Sequence, residues 1–293
     1  MNQDRGPTLI EAASYAERFR GQLVVVKLGG ELLESAAVLG RLVPQIEALY
    51  RLGLRPLVVH GGGVQVDRAC EARGIAFEKR DGRRITSPEV LAVLLDVVAG
   101  ELNQQIVAGL SAVGIPATGH SDGVSDSILC TRRPPSEDTH GESVDWGEVG
   151  DVIAIRDGAL PASDSAPWSI PVLPSLGVLE DGSPVNVNAD SVASRVAVEL
   201  GAVKLVLLCG VAGVMPHPGA AGPISEISAG QVQRILDDGT VSGGMAAKLQ
   251  EGLRALDGGV PRVHIISGRA PFTLLRELFT HEGCGSLLLP DTP

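Results

Sequence analysis

The sequence predicts an alternating α/β fold, and three observations predict it. Short β-branched runs at residues 23–28 and 57–60 end in glycines, Gly29-Gly30 and Gly61-Gly62-Gly63, and a helical pattern follows each. The same alternation returns through the carboxyl third. Aromatic residues are only 3% of the chain while glycines number 37, so the core is aliphatic and many turns are sterically open. Two successive strand, glycine turn and helix units describe a sheet with binding loops at its strand ends.

The elements follow in order. Residues 7–19 place Leu9, Ala12, Ala13, Ala16 and Phe19 at helical spacing. After the strand at 23–28 comes a helix through 42–49, then the strand at 57–60 and a helix through Cys70. Residues 89–113 continue in helical pattern, weakest at Gly100 and Gly109. An extended return at 115–118 leads to a Pro, Ser, Asp, Glu and Gly-rich stretch at 132–148, a surface loop or a pair of short hairpin strands. A second polar loop spans 159–168, and residues 170–174 form a short strand whose prolines restrict it to a sheet edge or strand terminus. Helices are expected at 189–200, 228–236, 244–256 and 272–279, and strands at 203–208, 262–266 and 286–289. Two lobes would meet near 175–205.

Composition narrows the function. With 24 Lys and Arg against 35 Asp and Glu, the formal charge of −11 opposes nonspecific binding to nucleic acid or an anionic membrane. No run of continuous apolar residues approaches the roughly 18 to 20 that span a bilayer, and the MNQDRGP start lacks a signal core. Cys70, Cys130, Cys209 and Cys284 have neither disulfide nor zinc spacing, so a reducing cytoplasm is the expected setting.

The chemistry-bearing motifs are glycine turns with cations beside them. Lys27 ends a strand before Gly29 and Gly30, which can bring backbone donors to an anion such as phosphate. His60 precedes Gly61, Gly62 and Gly63 and reads best as a strand-end hydrogen-bonding residue; the run is neither a G-x-G-x-x-G nor a Walker A pattern. In Gly82-Arg83-Arg84-Ile85-Thr86, strand alternation lets only one arginine face a given pocket, where it can clamp a carboxylate. Asn186 and Asn188 share a face ahead of Asp190, which either caps a helix or holds ammonium groups. Gly243 and Gly244 open a helix that carries Met245 and, about one turn in, Lys248.

VVVKLGG, VVHGGG, DGRRIT, NVNAD, VSGGMAAK, HIISGR and ELFTHEGCGSLL occur in an order that resembles the amino-acid kinase superfamily and, more closely, the acetylglutamate kinases, over nearly the whole chain. The resemblance implies a three-layer α/β/α sandwich with a mainly parallel sheet, an N-terminal oligomerisation helix at 1–20, an N-acylglutamate-binding lobe at 21–200 and an ATP-binding lobe at 201–293. It implies phosphoryl transfer from ATP, with Mg²⁺, to the side-chain carboxylate of an N-acylated glutamate in arginine biosynthesis. Lys27 and Lys248 would act on the acceptor and ATP sides, with Asp190 orienting both. Gly29 and Gly30 would contact phosphate, Gly61 and Gly62 would line the substrate, and Arg84 and Asn186 would hold its α-carboxylate. Cys209, Gly210, Met215, Gly243, Gly244 and Met245 would border the nucleotide, and no residue is assigned as a metal ligand. The PTLIEAASYAERFRG segment is similar to the extra helix of arginine-sensitive hexameric members, which implies a homo-oligomer and an arginine effector bound with help from GCGSLL.

Some positions depart from the family pattern. Cys209-Gly210 replaces a Thr-Asp or Ser-Asp, residues 119–126 differ from the LSGKDG-like loop, Ser267 replaces an Asp, and 157–168 is too rich in proline and polar residues for the usual helix. Alternatives are another N-acylated dicarboxylate as acceptor, such as N-succinylglutamate or an N-acylaminoadipate, or a noncatalytic regulatory homologue.

Overall fold

The structure is a computed structural model and describes residues 8–121, 126–138, 140–162, 164–217, 219–280 and 282–291. Helix α1 (Leu9–Phe19) leads into β1 (Leu23–Leu28), α2 (Ala36–Arg51), β2 (Arg55–His60) and α3 (Gly63–Ala72). All six residues of β1 are buried, which explains its unbroken apolar run: a central parallel strand is covered on both faces. A short hairpin, β3 (Glu78–Arg80) and β4 (Arg83–Ile85), precedes α4 (Pro88–Leu94), where Ser87 Oγ accepts the Val90 N–H and Pro88 occupies the first turn.

The weakness expected at Gly100 is a π-helical stretch, Leu95–Leu102, that joins α4 to α5 (Asn103–Ala112) without a break. This helical run, Pro88–Ala112, is long and apolar enough to cross a membrane by length and composition alone, and over half of its most apolar 18-residue window is buried within the protein. After β5 (Ala117–Gly119) come β6 (Ile128–Arg132), β7 (Ser136–Glu137), β8 (Ser143–Val144) and β9 (Gly150–Ile155). The polar 132–148 stretch is thus the hairpin alternative, and its Val144 and Trp146 form a small core with the following Val149. Residues 159–168 form no helix or strand among those described, although Trp168 at their end is buried.

The remaining elements are β10 (Ile170–Pro174), β11 (Leu176–Val178), β12 (Pro184–Asn186), α6 (Ala189–Glu199), β13 (Lys204–Cys209), β14 (Glu226–Ser228), α7 (Ala229–Asp237), α8 (Gly243–Asp257), β15 (Val263–Ser267), α9 (Thr273–Phe279) and β16 (Ser286–Leu289). The main sheet has eight strands in the order β14-β16-β15-β13-β1-β2-β10-β5, parallel except that β16 pairs antiparallel with β15. Helices α2, α5 and α9 pack in one layer, and α6, α7 and α8 in the other. This is the expected three-layer sandwich, and one continuous sheet carries strands from both halves of the chain, joined where β1 meets β13. A second sheet, β12-β11-β6-β9, lies against α6.

Of the two placements expected for the prolines of residues 170–174, the sheet edge is wrong, because β10 sits between β2 and β5, while Pro174 does end the strand. Pro171, inside the strand, is tolerated because its missing N–H is compensated. On the β2 side, where Pro171 has no N–H to give, the Trp168 indole donates to Pro56 O at 3.0 Å.

Candidate active site

The site forms where β1, β2 and β13 end together. Their register sets Leu28 opposite both His60 and Leu208, so the glycine turns after β1 and β2 lie side by side. Gly29 N–H donates to Leu208 O at 2.9 Å and Gly61 N–H to Leu28 O at 3.1 Å, so neither of these expected anion contacts has a free donor. Gly30, Gly62 and Gly63 are the turn residues whose N–H groups have no acceptor among the described residues. At Gly30 a Cβ would stand 2.9 Å from Gly63 N, a close approach that only glycine permits. Gln65, which sequence reasoning missed, ties the two turns by donating to Gly30 O at 2.9 Å.

Asp190 lies in the first turn of α6, but it does not cap the helix. Asn188 does, its Oδ1 accepting the Asp190 and Ser191 N–H groups. The Asp190 carboxylate is thereby free to meet two cations: Lys27 Nζ at 2.8 Å on Oδ1 and Lys248 Nζ at 2.7 Å on Oδ2. Burial by itself would raise the Asp190 carboxyl, but the two ammonium groups outweigh it and hold the pKa at about 2. Burial opposes charge on Lys248 as well, and Asp190 carries its pKa above the ordinary lysine value. A second tie, unseen in the sequence, repeats this contact further along the same helices. Ser191 Oγ donates to Glu251 Oε1 at 2.8 Å and Ser194 Oγ to Glu251 O at 3.0 Å, locking α6 to α8.

Two cavities flank this carboxylate. One, of about 250 Å³, is lined by Lys27, Gly30, Gly61, Gly62, Arg84, Asn186 and Asp190, with Asn188, Lys79, Arg83 and Arg133 also on its wall. Its five basic side chains face a single acid, so a chain of charge −11 presents a locally cationic pocket. Strand alternation predicted only one arginine of the pair here, yet both border it: Arg84 buried, Arg83 exposed at the rim. Arg84 donates to Gly63 O at 2.8 Å and pairs with Asp67 at 2.7 Å, while its Nη1 is buried without a hydrogen-bond partner. A buried guanidinium N–H left unpaired is costly unless a ligand completes it. Asn186 Nδ2 donates to Thr86 Oγ1 at 3.0 Å.

The other cavity, of about 710 Å³, is lined by Cys209, Gly210, Met215, Gly244, Met245 and Lys248, together with Glu31 and Arg269; Gly243 stands beside it at the start of α8. The Cys209 thiol is pushed up by burial and donates to Val211 O at 3.4 Å, so it is a packed, protonated side chain. At the departure from HIIDGR, Ser267 Oγ accepts the Arg269 N–H at 3.2 Å. Half of the 119–126 departure, residues 122–125, falls outside the described residues. His60 is structural: buried, contacting Gly61 O and Asn103 Nδ2, each at 3.1 Å, with burial lowering its pKa to about 4.

A lysine on each of two cavities, joined by one carboxylate, is an arrangement for moving an anionic group between them. The amino acid kinase family model matches residues 22–267. The acetylglutamate kinase of Symbiobacterium thermophilum is 38% identical over 98% of both chains. The chain belongs to the acetylglutamate kinase family, within the amino-acid kinases. Among solved structures it resembles the N-acetylglutamate synthase of Neisseria gonorrhoeae complexed with coenzyme A and N-acetyl-glutamate, with a TM-score of 0.80 and 26% identity. The same synthase complexed with coenzyme A and L-arginine gives 0.79 and 25%. Each match covers 97% of this chain but only 63% and 65% of the synthase chain, so the chain spans less than two thirds of that relative.

Proposed function

We propose that Lys27, Lys248 and Asp190 carry out the reaction of this family, with the cavity beside Lys27 taking the acceptor and the cavity beside Lys248 taking ATP. The reaction itself is ATP-dependent phosphorylation of the side-chain carboxylate of N-acetyl-L-glutamate, giving N-acetylglutamyl 5-phosphate and ADP in arginine biosynthesis. One observation carries the assignment of residues: Asp190 holds the lysine of one cavity and the lysine of the other, at 2.8 and 2.7 Å.

The acceptor carboxylate is already an anion at neutral pH, so no general base is needed. The obstacle is bringing two anions into line, and positioned cations and N–H groups remove it. Lys27 and the N–H groups of Gly30 and Gly62 would stabilise charge on the transferring group from the acceptor side, Lys248 from the ATP side. Asp190 holds both ammonium groups in place without neutralising them, since two cations on one carboxylate leave a net positive charge. Arg84 Nη1 and Asn186 would hold the α-carboxylate of the acceptor. Mg²⁺, when bound, would offset charge on the ATP phosphates. No cluster of three metal-ligating side chains exists among the described residues, and both Asp190 oxygens face lysines, which fits a cation held mainly by the nucleotide.

Residues 21–200 then form the acceptor half and 201–293 the nucleotide half. The N-terminal segment is the oligomerisation element of the same reading: α1 packs on α9 through Tyr15 and Phe279, and Ile10 is left 82% exposed. A homo-oligomer, hexameric in the arginine-sensitive form, is expected, with a cytoplasmic setting. An arginine effector would enter a third cavity of about 330 Å³ between α1, β15 and α9, which includes Gly283 and Gly285 of the GCGSLL segment. Its carboxylates Glu226, Glu277 and Glu282 suit a guanidinium.

The test is ATP-dependent acyl-phosphate formation from N-acetylglutamate, trapped with hydroxylamine, with N-succinylglutamate and N-acetylaminoadipate as competing acceptors. Failure to form the trapped product with any acceptor would overturn the assignment. Sedimentation of the chain lacking residues 1–20 checks assembly: an unchanged oligomer would reject the role of the helix.

A further inference from the structure

We propose that Glu31 is the side chain that anchors the divalent cation of the bound nucleotide, an inference that rests on the kinase reading above and deepens it. Glu31 follows the glycine turn after β1, in a short 3-10 turn at Gly30–Leu32. Its carboxylate folds back over Gly29, so closely that a Cβ there would lie 2.5 Å from Oε2 and 2.6 Å from Oε1. An anion thus already covers the glycine expected to touch phosphate. Oε1 accepts the Gly210 N–H at 2.9 Å and ties the turn after β1 to the turn after β13. Oε2 accepts no hydrogen bond and joins no ion pair among the described residues. The side chain is half-buried and borders the nucleotide cavity beside Lys248 and Arg269.

A lone carboxylate on the wall of a cavity that receives a triphosphate repels its ligand, and more strongly where water is scarce. Neither neighbouring cation pairs directly with it: Lys248 contacts Asp190, and Arg269 forms no ion pair with Glu31. A divalent cation between Oε2 and the phosphate oxygens converts the repulsion into attraction. Mg²⁺ is commonly held this way, by one or two carboxylates together with substrate phosphates and water. The Gly210 hydrogen bond fixes the carboxylate so that its second oxygen is presented ready-made.

Glu31→Gln separates the two roles, because the amide oxygen still accepts from Gly210 N–H while the charge is gone. Full-length wild type and variant, with folding checked by circular dichroism, are titrated with Mn²⁺ and followed by electron paramagnetic resonance, with the nonhydrolysable ATP analogue AMP-PNP present. AMP-PNP affinity is measured separately in EDTA. The Mn²⁺ affinity of the nucleotide complex should fall about tenfold in the variant, while metal-free AMP-PNP binds equally well or more tightly. Glu31→Asp, which keeps the charge, should lie between the two. Equal Mn²⁺ affinity in wild type and Glu31→Gln overturns the inference, as does an equal loss of AMP-PNP binding with and without metal. Should Glu31→Gln not fold, Glu31→Ser is read by the same outcomes. Wild type that binds no AMP-PNP would overturn the kinase reading as well, whereas intact nucleotide binding with unchanged Mn²⁺ affinity removes this inference alone.

Discussion

At the carboxyl ends of the parallel strands three buried charges pair with one another, whereas at the amino ends Lys204 and His264 are left incomplete. Lys27, Asp190 and Lys248 form a compact network there, and within it every ionised group has a partner. At the other end of the same sheet, Lys204 opens β13 opposite Val24, and His264 lies near the start of β15. Burial foremost, then Arg262, pushes Lys204 down to about 8. His264 Nδ1 contacts Glu277 at 2.8 Å while its Nε2 is buried without a partner, and burial lowers its pKa despite that carboxylate. A paired network is preorganised for chemistry that must not wait for reorganisation. Groups left incomplete around a cavity gain their partners only when a ligand arrives.

The largest effect that can break this contrast is on turnover. Lys27→Ala or Lys248→Ala removes a cation from the network, and loss of one preorganised donor costs about 3 to 4 kcal/mol of transition-state stabilisation, or at least about a hundredfold in kcat. Lys204→Ala, at the opposite end, should change kcat less than about tenfold. The measurement is acyl-phosphate formation alongside circular dichroism. Normal turnover in a folded Lys27 or Lys248 variant, or an equal loss at Lys204, would dissolve the distinction between the two ends.

Stability against pH sharpens it next. The folded His60 pKa of about 4 lies below the ordinary histidine value of 6.5, so the unfolded chain takes up a proton first as pH falls. Stability from this group is complete above about pH 6.5, is lost progressively down to about pH 4 and then stays level, a loss of about 3 kcal/mol. His60→Gln, which cannot titrate, should lack that part of the slope in urea unfolding series between pH 7 and 4. His264 contributes with the same sign in wild type and variant alike, so the difference isolates the carboxyl end. Parallel slopes would show that His60 does not titrate as its burial requires. A smaller effect is expected at Arg84. Arg84→Ala should raise KM for N-acetylglutamate about tenfold with a lesser change in kcat, and an unchanged KM would remove the guanidinium from the acceptor site.

The same contrast explains how much could be read from the chain. Carboxyl-end features follow strands directly, so Lys27, Gly30, Gly61 and Gly62 were visible as strand-then-glycine signatures, and the register of β1, β2 and β13 brought them together. Asp190 was ambiguous locally because an acid beside Asn188 in a first helical turn reads equally as a cap; only the position of Lys248, 58 residues away, separates the roles. Glu31 and Gln65 carry no signal, since each acts by reaching across to a turn from another strand. Gly29 shows the converse, a motif residue whose N–H the sheet itself consumes. Pro171 of β10 misled because strand rules cannot foresee a tryptophan indole supplying the missing donor. Amino-end residues come from α1, β13, β15, α9 and the loop after it, with nothing local to mark them beyond the family resemblance.

The smallest expected effect concerns that amino end. Glu282 lies at the exposed rim of its cavity, whereas Glu277 is buried within it, held by His264 and by the Cys284 and Gly285 N–H groups. If L-arginine binds here, a rim carboxylate in high dielectric contributes little, and Glu282→Gln should weaken binding only about threefold, with the difference shrinking at higher salt. Glu277→Gln disturbs a buried network and should weaken binding much more. Isothermal titration of L-arginine into full-length protein at two ionic strengths reads both, and saturating AMP-PNP should not displace the ligand, because the nucleotide cavity opens at the opposite ends of the strands. Displacement by AMP-PNP, or wild type that binds no arginine, would mean that the incomplete charges at the amino end are not waiting for this ligand.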